Sequence, residues 1–191
     1  MDWTTLPDIV KWPRAAVTLA LSILAIAHLR ATVIVPAELG ELVLAARAIA
    51  HGRIVDLRPQ VSDARRHVET LVTIQVATYL KGDLGPTVTF RVPGGQIGRY
   101  RTVVLDAPQF TQGEEVVLML SSRGPSIPYV LGLNQGVFRV VRTPDDRWLV
   151  APPPMLPSVS AVRIARGDPS RRPQLLADFE ARVRALAGGA R

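Results

Sequence analysis

The chain has 191 residues, 48% of them hydrophobic and 20% charged, which suits one packed domain of ordinary size and excludes global disorder. Cysteine is absent, which excludes disulfide scaffolds, cysteine-ligated zinc, iron–sulfur clusters and thiol catalysis, and three histidines are too few for a histidine-rich metal site. Basic residues outnumber acidic ones 23 to 16, a net charge of +7, so the surface attracts anions in a salt-dependent way.

Lys11 and Arg14 precede an apolar run from Ala15 to Ala27. That run has 13 residues, fewer than the about 20 an α-helix needs to cross a bilayer. Ala25-Ile26-Ala27 has the small-x-small form of a cleavage site, with a second cut point after Ala31. A basic flank, a short apolar core and a small-residue site together predict a secretory signal peptide over residues 1–27. The protein is therefore expected outside the cytoplasm, secreted or in the periplasm or cell envelope. The rival is an uncleaved anchor, lengthened by Ala31 to Val35, which would be the chain's one membrane contact. Cleavage after Ala27 removes Lys11, Arg14, Asp2 and Asp8 together and leaves the net charge unchanged.

Pro36 to Ala46 reads as a short helix, because Leu39, Leu42, Val43 and Ala46 form one stripe. Ala48 to Leu57 reads as a strand bent at Gly52. From His67 to Leu80 the even positions are aliphatic or β-branched throughout, a long alternating strand whose inward face includes Val72, Ile74 and Val76. Thr87 to Val92 alternates again and ends at Pro93-Gly94-Gly95, with a further strand over Arg99 to Leu105. Val116 to Leu120 is apolar on both faces and belongs in the middle of the sheet. Tyr129 to Val141 holds a strand or hairpin with bends at Gly132 and Gly136, and Trp148 to Val150 a last short strand. Ala151-Pro152-Pro153-Pro154 opens a stiff proline-rich linker over residues 151–169. A C-terminal amphipathic helix follows over residues 170–188, with Leu175, Phe179, Val183 and Leu186 as its stripe and Gly188-Gly189 as its end. The expected fold is mainly β. It is a small OB-like closed β-barrel of five to six strands over residues 32–150, with a short N-terminal and a C-terminal helix covering its open ends.

Catalytic machinery is absent from the sequence. There is no G-x-S-x-G elbow, S-x-x-K, H-E-x-x-H or P-loop, and Gly94, Gly95 and Gly98 lack the helix that a dinucleotide fingerprint requires. His51 and His67 read as surface or strand-end histidines, and Glu114-Glu115 and Asp145-Asp146 as solvated turns. No catalytic, metal-binding or cofactor-binding residue is predicted, and no enzyme. Arg91, Arg99 and Arg101 flank the Pro93-Gly94-Gly95 turn, where arginines and glycine N–H groups together could hold an anion or an acidic partner. The competing reading is a solvated basic edge that discourages strand-to-strand aggregation.

Several phrases form a recognisable pattern: Glu41-Leu42-Val43 with Ala48, Gly52 within a strand, Leu80-Lys81-Gly82, Val92-Pro93-Gly94-Gly95, Phe110 with Gly113-Glu114, Val117 to Leu120, and Gln135-Gly136-Val137-Phe138. Over Val35 to Val141 the chain resembles small secreted bacterial proteins of largely unknown function. These are similar in layout to the netrin-like module of tissue inhibitors of metalloproteinases, an OB-type barrel with flanking helices. The resemblance implies that fold and a protein partner, a protease among the candidates. Those inhibitors chelate zinc through an N-terminal cysteine, so no inhibitory residue carries over to this cysteine-free chain. The expected function is a secreted or envelope-facing, non-catalytic protein-binding module without a small-molecule cofactor. The alternative is an OB-type binder of a polyanion or single-stranded nucleic acid. Basic charge favours it, while the export signal and the scarcity of aromatic residues weigh against nucleic acid.

Overall fold

A computed structural model describes residues 37–62, 67–124, 126–153 and 172–189, all within the unit that runs from Val35 to Arg191. The expected signal peptide and most of the expected linker lie outside the described residues. In chain order the elements are α1 (Leu39–Ala45), β1 (Ala48–Val61), β2 (Val68–Lys81), β3 (Thr87–Pro93), β4 (Gly95–Ile97), β5 (Tyr100–Thr102) and β6 (Glu115–Ser121). They continue with β7 (Tyr129–Val130), a 3-10 turn (Leu133–Gly136), β8 (Val137–Arg142), β9 (Trp148–Ala151), β10 (Gln174–Leu175) and α2 (Leu176–Gly188).

The fold is mainly β. β1 pairs antiparallel with β2 on one edge and with β6 on the other. β2 pairs with β3, β3 runs parallel to β7, and β7 pairs antiparallel with β6. The pairing therefore passes through β1, β2, β3, β7 and β6 and returns to β1, a ring of five strands. β8, β9 and β10 extend the sheet outward from β6. β4 and β5 form a separate hairpin.

Gly52 explains how β1 serves two neighbours at once. The register against β2 shifts between His51 and Gly52, and a Cβ at Gly52 would lie 2.1 Å from the Gln75 carbonyl oxygen. The missing side chain lets the strand bulge and turn away from β2 toward β6.

β6 is apolar on both faces because it divides two cores. Val116, Leu118 and Leu120 face the ring interior with Ile54, Val72, Ile74, Val88, Phe90 and Val92. Val117 and Met119 face the opposite side, where Leu42 and Val43 of α1 and Phe179 and Val183 of α2 pack. The rings of Phe138 and Phe179 are 4.8 Å apart in that second core. α1 is steadied at its start by Glu41, whose carboxylate accepts the Glu38 N–H at 3.2 Å.

Five expectations change. The strands number ten among the described residues rather than five or six, because short segments extend the sheet and build a hairpin. The region Arg99 to Leu105 is strand only from Tyr100 to Thr102. The proline-rich stretch starts after Ala151, which still pairs with Arg139, and the C-terminal helix starts at Leu176. Leu175 therefore leaves the helical stripe and lies on β10, 40% exposed, with Leu176 partly buried in its place. Both helices enter one common core instead of covering separate ends of the ring.

Candidate functional site

The ring closes at Arg91. Its N–H donates to the Pro128 carbonyl at 2.8 Å, and it is the residue of β3 that pairs with Tyr129 of β7. Phe90 and Val92 on either side point into the ring core. Alternation along the strand therefore puts Arg91 on the outer face, beside Glu69 and Leu71 of β2 and Tyr129 of β7. Arg91, Glu69, Tyr129, His67 and Ser62 line a half-open cavity of about 410 Å³, with Pro93 and Pro108 also in its wall.

Two features mark this cavity. The Arg91 Nε is buried without a hydrogen-bond partner, and Arg91 enters no ion pair among the described residues. Glu69, 8% exposed, accepts a hydrogen bond from Gln60 Nε2 at 2.8 Å. A half-buried guanidinium without a carboxylate is costly to keep dry and is relieved by a ligand that accepts its hydrogen bonds.

The β4–β5 hairpin lies next to it. Its residues Gly95, Gln96, Arg101 and Thr102 line a second, half-open cavity of about 460 Å³ together with Leu57, Val72, Val92 and Phe110. Phe110 meets Phe90 edge-on at 5.5 Å. On the hairpin and the segment after it, Tyr100, Val103 and Leu105 are 64%, 69% and 79% exposed. The Arg99 guanidinium stands 5.3 Å over the Tyr100 ring and donates to its hydroxyl at 3.2 Å. Val92, Pro93 and Pro108 line both cavities, so hairpin and Arg91 share one stretch of surface.

The three arginines singled out in the sequence do not converge in one pocket. Arg91 lines the first cavity and Arg101 the second, and Arg99 lines neither. The reason is that Pro93-Gly94-Gly95 does not join their two strands: Gly95 opens β4, and the turn of the hairpin falls at Gly98 and Arg99. The glycines serve close packing rather than an anion nest. The Gly94 N–H is spent on the Val68 carbonyl at 3.1 Å, and a Cβ on Gly95 would lie 2.6 Å from Thr70 Oγ1. Thr70 Oγ1 in turn donates to the Gly94 carbonyl at 2.8 Å.

A second polar group was not foreseen. His51 is 8% exposed, not a surface histidine, with Nε2 3.2 Å from Glu115 Oε1 and Nδ1 3.0 Å from Glu180 Oε1. Glu114 and Glu115 are likewise not a solvated turn: Glu114 pairs with Arg139, and Glu115 begins β6. Burial holds the Arg139 guanidinium below its usual range. No sequence signal pointed to the trio, because its members come from β1, β6 and α2 and meet only through the sheet register and the docking of α2. Asp145 and Asp146 do lie in an exposed turn, paired with Arg147 and Arg142.

No protein-family model, curated protein or solved structure matches the chain. Among the described residues no cluster of histidine and acidic side chains is arranged to hold a metal ion, and no helix is long and apolar enough to cross a membrane.

Proposed function

We propose that the protein is an exported, non-catalytic protein-binding module built on an OB-like barrel of netrin-like layout. It engages a protein partner through the β4–β5 hairpin and the Arg91 cavity. The five-strand ring order and its parallel β3–β7 pair support the OB-like reading, and the Arg91 cavity lies at β2 and β3, the strands by which OB folds bind ligands. The observation that carries the function is the exposure of Tyr100, which Arg99 and Arg101 flank, and of Val103 and Leu105 just after them, beside a half-buried arginine that enters no ion pair among the described residues. Aromatic and arginine side chains around exposed apolar area are the composition of a protein interface. In this reading an acidic side chain of the partner enters the cavity and accepts from Arg91, while the hairpin covers apolar surface. The alternative, a polyanion or single-stranded nucleic acid, is weakened for nucleic acid by the scarcity of stacking platforms, Tyr129 being the one Phe, Trp or Tyr in the cavity lining.

The test is quantitative affinity capture from the envelope fraction of the producing organism. Wild type is compared with Arg91→Glu and with Tyr100, Val103 and Leu105 all changed to Ser, alongside titration with a single-stranded oligonucleotide. The reading expects a stoichiometric protein partner that both variants lose. Oligonucleotide binding that survives moderate salt, with no protein captured, would establish the alternative. N-terminal sequencing of the same material checks export, which requires a mature chain beginning at His28 or Thr32.

A further inference from the structure

The β4–β5 hairpin is fastened to β2 at three points. The Gly94 N–H donates to the Val68 carbonyl at 3.1 Å, the Val68 N–H donates to Thr102 Oγ1 at 3.0 Å, and Thr70 Oγ1 donates to the Gly94 carbonyl at 2.8 Å. Gly95 adds close contact, since a Cβ there would meet Thr70 Oγ1 at 2.6 Å. The cavity of about 460 Å³ that the hairpin lines together with ring residues is therefore pre-formed, as small-molecule sites usually are.

Its wall divides by chemistry. Val72 and Val92 belong to the ring core, and Leu57 and Phe110 pack against that core, so one part of the wall is apolar. The neutral polar side chains are largely committed within the protein. Thr70 and Thr102 hold the hairpin, and Gln96 Nε2 donates to the Gly98 carbonyl at 3.1 Å. Arg101 alone among the lining residues is charged, and it enters no ion pair among the described residues. The surrounding sequence has the same sign: from Leu84 to Leu105 it holds Arg91, Arg99 and Arg101 and no aspartate or glutamate. A positive field with an apolar wall beside it suits an anion that carries a hydrophobic body.

We propose that this cavity binds a medium-chain carboxylic acid, with the chain against Leu57, Val92 and Phe110 and the carboxylate on the Arg101 guanidinium. Sites for small molecules combine a mostly apolar wall with a few polar groups that orient the ligand. A planar guanidinium meets a carboxylate through two parallel hydrogen bonds. One arginine balances the single charge of a carboxylate, whereas a phosphate monoester carries about −1.5 to −2. The volume sets the size of the ligand. At about 30 Å³ for each water-sized group, 460 Å³ has room for about fifteen non-hydrogen atoms, enough for a medium-length chain and its acid group. This inference does not rest on the proposed protein partner.

The experiment is an NMR titration of isotope-labelled protein from the producing organism with octanoate, octanol and octylamine, which share a chain and differ in the head group. Octanoate should saturate with a Kd below about 1 mM, the affinity that its small number of atoms allows. It should move the signals of Leu57, Val92, Phe110 and Arg101. Octanol should bind about tenfold more weakly, the equivalent of one charge-assisted contact, and octylamine more weakly still. Arg101 is exposed, so Arg101→Gln keeps the fold; it should weaken octanoate about tenfold and leave octanol unchanged. Four results each overturn the proposal: octanoate that does not saturate, shifts confined to other surfaces, octanol or octylamine binding as well as octanoate, and an Arg101→Gln variant that binds octanoate as wild type does.

Discussion

Ile74→Asp and Gln75→Asp form a matched test of the ring. Ile74 has no exposed surface; it pairs with Ile54 across one edge of β2 and Val88 across the other, within the ring core. Gln75 is its exposed neighbour on the outer face. Removing an isoleucine side chain from such a site costs about 2–5 kcal/mol from lost packing and cavity formation. A carboxyl group without a partner adds several kcal/mol more. The sum is comparable to the about 5–15 kcal/mol that holds a domain together, so Ile74→Asp should not fold at ambient temperature, whereas Ile74→Ala should fold with a lowered midpoint. Gln75→Asp lies in solvent and should stay within about 0.5 kcal/mol of wild type. Urea unfolding followed by circular dichroism measures all three. Equal midpoints for Ile74→Asp and Gln75→Asp would refute the assignment of inner and outer faces.

Other perturbations address the second core, the backbone and a tyrosine. Phe179→Ala, which deletes a fully buried ring 4.8 Å from Phe138, should lower stability by about 3–5 kcal/mol in the same unfolding assay. Gly52→Ala should cost about 1–3 kcal/mol, because its Cβ would meet the Gln75 carbonyl at 2.1 Å. Gly40→Ala, on a helix and with nothing within 4 Å, should instead stabilise by about 0.4–1 kcal/mol. Burial raises the Tyr79 hydroxyl above the usual tyrosine range, and that hydroxyl donates to the Gly85 carbonyl at 2.7 Å. A folded-state value above the unfolded one contributes stability that is full below the unfolded value and lost as the pH rises through the folded one. Alkaline difference absorbance should therefore show one of the three tyrosines ionising after the others, and Tyr79→Phe should remove that late step.

Much of the fold was legible from periodicity. The stripe of α1, the alternation of β2 and the two-faced apolar character of β6 all follow from residue spacing, and Val72, Ile74 and Val76 do share the ring core. Gly52 was legible as a bend because a glycine within an apolar strand has few other reasons to be there. The candidate site was legible in part. Arg91 could be picked out as an arginine on an alternating strand, but its isolation from Arg99 and Arg101 depends on where the hairpin turns. Three glycines within five residues leave that open: Gly94 and Gly95 permit close packing on β2 as readily as a turn, and the turn itself forms at Gly98. The His51 trio was not legible at all, because Glu115 and Glu180 reach it from distant parts of the chain.

Site-directed photocrosslinking in the producing organism tests the proposed binding face most directly. A photoreactive residue replaces Leu105, 79% exposed after the hairpin, or Leu44, 57% exposed on α1, as the control position. The account predicts one discrete protein adduct from position 105, its loss when Arg91→Glu is added, and none from position 44. Equal labelling from both positions, or an adduct at position 105 that Arg91→Glu leaves intact, would contradict it.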